Sequence, residues 1–226
     1  MIISVHIPKT AGTSFREDLI DVFGARVLAD YGDFPEITTP EGRAHDERRR
    51  AEMLASVEEY AEKFDAIHGH FTARKYLNVF PDSALVTLVR DPYQHAVSAY
   101  AHADRDEVGP HPGHLAFKEQ QMTVLDLVEA FPNHQSLYFS GITVDEFAMI
   151  GLTERYEQSV ALFETIFGIA MPHVSTRRNA NPNRQLAEYE ISADLRRTVQ
   201  RHRAEDIELY RRARERFDAL CAAYGI

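Results

Sequence analysis

Cysteine is nearly absent from this sequence, and long apolar stretches are missing altogether. Of its 226 residues only Cys221 is a cysteine, which excludes an intramolecular disulfide and is typical of a reducing compartment. Its position in an apolar helical tail also argues against a role as catalytic nucleophile. No apolar run approaches the ~20 residues that span a membrane, and the apolar start over residues 1–7 is shorter than that of a signal peptide. We therefore expect a cytoplasmic protein with no membrane span.

Basic residues are scarce relative to acidic ones. The 25 Lys and Arg residues against 35 Asp and Glu residues give a formal net charge of −10. This balance disfavours nucleic acids and anionic membranes as partners, because both are bound through positive charge. No internal repeat or low-complexity run is present either, and a hydrophobic content of 44% supports one substantial core. We expect a single domain over residues 1–226.

Short β-branched segments alternate with longer helical ones along the chain. The pattern predicts strands near residues 1–7, 65–70, 83–89 and 147–151, and helices near residues 13–23, 43–64, 92–102, 154–167 and 192–222. Such alternation is typical of an α/β fold with a mostly parallel central sheet flanked by helices, joined by right-handed crossovers.

The first predicted strand runs into a segment that suits a phosphate group. Residues 5–15 read V-H-I-P-K-T-A-G-T-S-F. Gly12 permits close backbone approach, and Thr13 or Ser14 can cap the helix that follows. Amides at a helix N-terminus attract anions, and Lys9 adds a cation. A Walker A loop is excluded because its lysine follows the last glycine. On this segment alone, a capped surface helix with a solvated lysine is an equally good interpretation.

A second strand, residues 83–89, opens into R-D-P-Y-Q-H-A-V-S-A-Y. Arg90 stands at the carboxyl end of that strand, where open α/β sheets form their ligand crevice. Pro92 suits the first turn of a helix, and Ser98 lies two turns further on. Arg90 and Ser98 can therefore grip a second phosphate. Taken alone, the segment is explained better by an ion pair between Arg90 and Asp91, with Ser98 merely packed.

Between these segments, residues 65–71 read D-A-I-H-G-H-F, a strand that ends in His68 and His70. A histidine, with an ordinary pKa of ~6.5, is suited to take a proton from an alcohol near neutral pH. Metal binding is the weaker interpretation, because no third ligand stands at a suitable spacing for zinc. Without the two loops, two histidines filling polar niches would be the simplest interpretation.

Together the two loop segments resemble the cofactor loops of sulfotransferases that use 3′-phosphoadenosine 5′-phosphosulfate (PAPS). In that family a P-K-[TS]-[AG]-[GS]-[TS]-[ST] loop holds the 5′-phosphosulfate, and an R-D-P-x-x-[RH]-x-x-S-x-[YW] loop holds the 3′-phosphate. The resemblance implies a first site made by Lys9, Thr10, Ala11, Gly12, Thr13 and Ser14, and a second made by Arg90 and Ser98. His95 occupies a position where many relatives have arginine.

The H-G-H segment is similar to the carbohydrate branch of the family, the uronyl and heparan 2-O-sulfotransferases and their bacterial relatives. This resemblance implies a P-loop-like sulfotransferase fold and in-line sulfuryl transfer to a hydroxyl of a sugar or glycoconjugate, without a metal. His70 is the first choice for the general base, while His68 orients it, binds the acceptor or takes the base role itself. Golgi members carry a membrane anchor, so its absence favours a bacterial relative.

Fainter resemblance to bacterial members extends to residues 133–135, 151–155 and 205–210. None of these segments is diagnostic alone. We expect structural roles, with Glu154 and Arg155 starting a helix and with Asp206 and Tyr210 as packing or helix-surface residues. The loop-like stretch 173–184 carries Arg177, Arg178 and Arg184. We interpret it as a basic lid over the 3′-phosphate or the acceptor rather than a solvated connection.

Two other functions remain open from the sequence. The strand, turn and helix at the start would also cradle the phosphates of ATP, which would make the protein a nucleotide-dependent phosphotransferase. The order of Lys9 and Gly12 counts against it. The other is a non-catalytic module that binds a nucleotide or a carbohydrate, against which the presence of Lys9 and both histidines counts.

Overall fold

The computed structural model describes residues 1–33, 35, 40–105, 117–171 and 188–226. The strands in these residues form one sheet of five, all parallel, in the order β2-β3-β1-β4-β5. They are β1 (Ile2–Val5), β2 (Val27–Asp30), β3 (Ala66–Gly69), β4 (Ala84–Val89) and β5 (Met149–Leu152). The predicted α/β fold with a parallel sheet is confirmed.

Helices connect the strands and cover the sheet. They are α1 (Gly12–Phe23), α2 (Pro40–Ala55), α3 (Val57–Lys63), α4 (Ala73–Leu77), α5 (Pro92–Ala103), α6 (Val124–Ala130), α7 (Ser136–Phe139), α8 (Tyr156–Phe167), α9 (Ala193–His202) and α10 (Ala204–Tyr224). None of those within the described ranges is both long and apolar enough to cross a membrane.

The structure corrects several predicted boundaries. The helix predicted over residues 43–64 is interrupted at Ser56, and the one predicted over residues 192–222 is interrupted at Arg203, where ψ is 37°. Strand β2 and the short helices α4, α6 and α7 were not predicted. These elements are too short to show a periodicity, and they form because the rest of the fold packs against them.

The core lies on both faces of the sheet, as the near-continuous apolar strands require. Ile3 of β1, Ile67 of β3 and Val86 of β4 are fully buried. On one side, Phe15 of α1 packs edge-on against Phe163 of α8, with ring centroids 5.2 Å apart. Helix α1 is thereby fixed to the core one turn beyond the first loop.

The strand order brings the segments with functional residues to one edge of the sheet. Val5, the last residue of β1, lies beside Gly69 of β3 and Thr87 of β4. After β1 the chain places β2 at one edge and β3 between β2 and β1, and it then crosses to the other side of β1 with β4 and β5. This reversal of direction is a switch point, where the loops after neighbouring strands diverge and leave a crevice.

Candidate active site

The loop after β1 has an unusual backbone. Lys9 and Ala11 both have left-handed conformations, with φ of 66° and 69°. Such conformations are strained for residues other than glycine and occur mainly where the surrounding structure imposes them. Alternating handedness turns successive amides toward a common point, an arrangement that binds anions. The loop therefore has the backbone form of a phosphate site.

The helix that follows starts earlier than predicted. It begins at Gly12, and no side chain caps it, so the predicted cap by Thr13 or Ser14 is wrong and both residues lie in the first turn. The Thr10 hydroxyl donates to the Ile7 carbonyl at 2.8 Å, which makes this side chain an internal tie of the loop.

Gly12 is required by a neighbouring side chain. A Cβ atom there would lie 1.9 Å from Cδ2 of His6, so any larger residue would push the imidazole away from the start of α1. Glycine at this position therefore serves the packing of His6, a residue that the sequence analysis did not single out. His6 is itself buried, with 7% exposure.

Lys9 lies in a cationic part of the crevice. Burial, together with the charges of Arg105 and Arg90, lowers the pKa of its ammonium group to about 8. Lys9, Arg90 and Arg105 are thus a local cluster of positive charge in a chain whose net charge is −10. An anion bound among them would relieve their repulsion and favour the charged form of Lys9.

Arg90 contacts the first loop directly. Its side chain is buried at the end of β4, and Nη1 donates to the Lys9 carbonyl at 3.2 Å. The two loops, 81 residues apart in the sequence, therefore meet in one place. The structure thus brings together the two residues on which the sequence-based prediction depended.

The backbone of Arg90 is held by a side-chain amide. Gln135 accepts a hydrogen bond from the Arg90 amide at 2.9 Å and donates one to the Arg90 carbonyl at 2.8 Å. Glu154 accepts from the Asp91 amide at 3.0 Å and from the Tyr210 hydroxyl at 3.0 Å. The three segments expected to be merely structural thus converge behind Arg90.

Asp91 begins helix α5. Its carboxylate accepts hydrogen bonds from the amides of Tyr93 and Gln94, both at 3.0 Å, and Pro92 follows in the first turn. The carboxylate thus acts as the N-cap, in place of the ion pair with Arg90 that the sequence alone favoured. Ser98, two turns along the same helix, is buried with 6% exposure.

His95 links the two loops. It is fully buried; Nε2 donates to the Pro8 carbonyl at 3.0 Å, and Nδ1 accepts from Arg203 Nη1 at 3.0 Å. Because one ring nitrogen donates and the other accepts, the imidazole is neutral. Burial lowers its pKa well below the ordinary value, and nearby His134 and Arg203 lower it further. His95 therefore does not replace the family's arginine as a cation.

Four rings meet at the ends of β1 and β3. The ring of His70 lies edge-on to His6, with centroids 4.6 Å apart, and to Tyr31, with centroids 4.8 Å apart. His6 Nδ1 and the Tyr31 hydroxyl are 3.1 Å apart, and His6 stacks on His68 at 5.1 Å. Sequence reasoning found His68 and His70 but missed His6 and Tyr31.

The two predicted histidines differ in access. His68 is 1% exposed, and its Nδ1 lies 2.8 Å from the Ser4 hydroxyl. Burial, together with the charges of His70 and Arg16, lowers its pKa to about 3. His70 is only partly buried. Of the two, His70 has the more exposed side chain, although its Nε2 atom is buried.

Gly69, between the two histidines, is imposed by the neighbouring strand. A Cβ atom there would lie 1.6 Å from the Asp30 carbonyl oxygen of β2. The H-G-H spacing thus places two imidazoles on one face of β3 while β2 approaches closely. Within the ranges that the structure describes, no group of three or more His, Cys, Asp or Glu side chains is arranged to hold a metal ion.

Tyr31 lies in the chain between Asp30 and Asp33, two members of one buried charge cluster. Lys75 Nζ lies 3.0 Å from Asp30 Oδ2 and 2.6 Å from Asp33 Oδ2, and all three side chains are at most 6% exposed. Tyr76 also donates its hydroxyl proton to Asp30. The segment after β2 is therefore fixed where Tyr31 meets His70.

The predicted basic lid, with Arg177, Arg178 and Arg184, lies outside the described residues. The chain that follows it is docked beside the second loop. Tyr189 exchanges two hydrogen bonds with the Gln94 side chain, at 2.7 and 2.9 Å. Its ring centroid lies 5.8 Å from the Arg90 guanidinium carbon.

Comparison with known proteins finds distant structural similarity only. No family model matches the chain, and no curated protein matches it. Among solved structures, it is similar to a sulfotransferase from Alicyclobacillus acidocaldarius, with 20% identity over 92% of both chains and a TM-score of 0.49. It is also similar to mouse sulfotransferase SULT7A1 complexed with PAP, with 14% identity over 76% of this chain and 60% of that one, and a TM-score of 0.37. Similarity at this level assigns neither a family nor an activity.

Proposed function

We propose that this protein is a sulfotransferase that moves the sulfuryl group of PAPS to a hydroxyl acceptor, on a single P-loop-like domain. The observation that carries the proposal is the contact between the two loops, in which Arg90 Nη1 reaches the Lys9 carbonyl at 3.2 Å. One ligand with phosphate groups at both ends fits two adjoining cationic loops better than two separate ligands do. The sequences of both loops resemble those of PAPS-dependent enzymes.

The first loop holds the 5′ end of the donor. The amides at the start of α1 and the left-handed loop residues surround the phosphosulfate, with contributions from Thr10, Ala11, Gly12, Thr13 and Ser14. Lys9 meets the negative charge that grows on the bridging oxygen as the bond to sulfur breaks. This is electrostatic stabilisation by groups that are already in position, and it requires no metal.

The second loop holds the 3′-phosphate. Arg90 supplies the charge, Ser98 supplies a hydroxyl, and the Gln135 amide fixes the Arg90 backbone. Arg177 and Arg178, which lie outside the described residues, are assigned to this site from the sequence alone. A guanidinium that binds phosphate gives both charge and direction, so this end distinguishes PAPS from nucleotides without a 3′-phosphate.

His70 acts as the general base. It takes the proton from the acceptor hydroxyl as the oxygen attacks sulfur in line with the leaving phosphate. The partial exposure of His70 and the burial of His68 support this assignment. His68, bonded to Ser4, orients the strand end. The resemblance of H-G-H to the carbohydrate branch favours a sugar or glycoconjugate acceptor, in a bacterial cytoplasm.

Ligand titration tests the donor. We expect adenosine 3′,5′-bisphosphate (PAP), the product of transfer, to bind in calorimetry with or without magnesium, and more tightly than adenosine 5′-phosphate (AMP). Transfer of labelled sulfate from PAPS to cell extracts, followed by mass spectrometry of the product, then identifies the acceptor. Binding of ATP with magnesium but not of PAP would instead support the phosphotransferase. Binding of PAP without any transfer would support the non-catalytic module.

A further inference from the structure

A row of buried polar side chains runs behind the two loops and connects them. Its members are Gln135, Asp206, Arg203 and His95, and none is more than 1% exposed. They come from the segment before α7, the junction of α9 and α10, and helix α5. Buried polar groups are costly unless they are bonded, so a row of four requires an explanation.

At one end the row holds the second loop. Gln135 bonds both the amide and the carbonyl of Arg90, at 2.9 and 2.8 Å. Gln135 is itself fixed, because its own amide and that of Ser136 donate to the two oxygens of Asp206, at 3.1 and 2.8 Å. The position of Arg90 therefore depends on a carboxylate 116 residues further along the chain.

At the other end the row holds the first loop. Arg203 donates to His95 at 3.0 Å, and His95 donates to the Pro8 carbonyl at 3.0 Å. Pro8 directly precedes the left-handed Lys9. The orientation of the Lys9 backbone is thus tied to a guanidinium at the C-terminal helix junction.

The two ends are joined where helix α9 stops and α10 begins. Arg203 has a non-helical backbone there, with φ of −129° and ψ of 37°, and Asp206 follows in the first turn of α10. Burial raises the pKa of Asp206, whereas the amides of Ser136 and Gln135 and the charge of Arg203 lower it. Arg203 and Asp206 carry opposite charges and stand three residues apart at this junction. They can therefore set a fixed distance between His95, which Arg203 holds, and Gln135, which Asp206 holds.

We propose that Gln135, Asp206, Arg203 and His95 are positioning residues that fix the distance between Lys9 and Arg90, and so set the preference for a nucleotide phosphorylated at both ends. This rests on the proposed function. None of the four is assigned a contact with the nucleotide. Gln135 acts through the backbone of Arg90 on the 3′ side and His95 through the Pro8 carbonyl on the 5′ side. Asp206 and Arg203 hold Gln135 and His95 in turn.

Two substitutions separate the two sides. Gln135→Met, which keeps the side-chain volume but removes both hydrogen bonds to Arg90, is expected to weaken PAP about tenfold and to leave AMP unchanged. His95→Leu is expected to weaken PAP and AMP by the same factor, because both use the 5′ site. Affinities are measured by calorimetry on protein whose folding is checked by circular dichroism.

Matched controls accompany these variants. Gln158→Met removes an exposed glutamine that bonds only Arg155 within the described residues and is expected to change neither affinity. His95→Gln, whose amide can still donate to the Pro8 carbonyl, is expected to recover most of the loss seen with leucine. If Gln135→Met does not fold, Gln135→Glu keeps the acceptor for the Arg90 amide and is expected to show the same loss confined to PAP.

The outcomes distinguish this proposal from the one on which it rests. A wild-type protein that binds PAP no better than AMP would refute the proposed function whatever the variants do. A wild-type protein that prefers PAP, with Gln135 variants that weaken both nucleotides equally or neither, would refute the positioning role and leave the sulfotransferase assignment standing.

Discussion

The ends of strands β3 and β4 flank the same central strand but are held in different ways. At the end of β4, the Arg90 backbone is fixed by two hydrogen bonds with the buried side chain of Gln135, 45 residues away. The amide of its neighbour Asp91 donates to the Glu154 carboxylate, 63 residues away. At the end of β3, His70 is surrounded by the rings of His6 and Tyr31, at 4.6 and 4.8 Å. Among the contacts between described residues, directional bonds hold Arg90 and Asp91, and aromatic rings surround His70.

The difference matches what each end is proposed to bind. A hydrogen bond fixes a group within narrow limits of distance and angle, which suits phosphates whose shape never varies. Ring contacts are worth about 0.5–1.5 kcal/mol and tolerate several relative orientations. They suit an imidazole that has to follow acceptors of different shape. Disturbing each end separately should therefore give different phenotypes.

The largest expected effect is at the ring-held end. His70→Ala should lower turnover by roughly 10²–10⁴-fold, the usual contribution of a general base, and leave PAP affinity unchanged. Turnover is measured by transfer of labelled sulfate, and affinity by calorimetry. His202→Ala, at the half-buried end of α9, is the control and should change neither quantity.

The variant His68→Ala tests the assignment of the base to His70 from the other histidine. Because His68 is buried and bonded to Ser4, His68→Ala should mainly lower stability, by about 1–3 kcal/mol for the hydroxyl left without a partner. Denaturant unfolding measures that loss. If His68→Ala lost as much turnover per folded molecule as His70→Ala, the assignment of the base to His70 would be contradicted.

Lys9 lies between the two ends and is expected to show the next largest effect. Lys9→Ala should lower turnover by roughly 10²-fold or more, because a charge partner of the transition state is lost. Alanine carries much the same backbone strain as lysine at φ of 66°, so the change isolates the ammonium group. The exposed Lys63, replaced by alanine, is the control. A loss of less than threefold in Lys9→Ala would argue against the role at the bridging oxygen.

Arg90→Ala tests the bond-held end. It should weaken PAP by about 10–100-fold, the usual value of a hydrogen bond to a charged group, with little change in AMP binding. Discrimination against adenosine 5′-phosphosulfate as donor should disappear with it. Competition titrations with the two nucleotides measure this ratio, and Arg211→Ala on an exposed helix face serves as control. A retained preference for the 3′-phosphorylated form would exclude Arg90 as its receptor.

The smallest effect is a dependence on pH. Because the pKa of Lys9 in the free protein is lowered to about 8, the ammonium charge is present below pH 8 and lost above it. Phosphate groups are already ionised above pH 7. PAP affinity should thus fall above pH 8, by at most tenfold per unit, with proton uptake on binding. Calorimetry in buffers of different ionisation enthalpy detects that uptake, which Lys9→Ala should abolish. An affinity that stays constant up to pH 9.5 would contradict the lowered pKa.

The parts of the site that could be predicted are those encoded locally. The loops at Lys9 and Arg90 each combine a strand end, a turn and a helix start within about a dozen residues, so their spacing is visible in the sequence. Tyr31 could not be found, since it follows an edge strand of four residues, only one of them buried. The break at Arg203 was equally invisible. The helical pattern of the sequence continues through Arg203. The buried contact between Arg203 and His95 is visible only in the fold.

The segments behind Arg90 show a second limit. Residues 133–135, 151–155 and 205–210 carry a faint resemblance in the sequence, which predicted a helix start and packing or surface positions but no link to Arg90. Gln135 and Glu154 acquire their relation to the second loop only when β4 and β5 pair side by side. A long-range hydrogen bond leaves no local pattern, so its function follows from topology. The lid arginines Arg177, Arg178 and Arg184 stay a prediction.

The left-handed residues Lys9 and Ala11 have a consequence for the energetics of ligand capture. A loop built from glycines would be free in solution and would lose conformational entropy each time an anion arrived. Here the curvature is imposed during folding by the Thr10 tie and the His95 bond to Pro8. Association then involves little further ordering of the chain, so more of the attraction between phosphate and amides is retained as affinity.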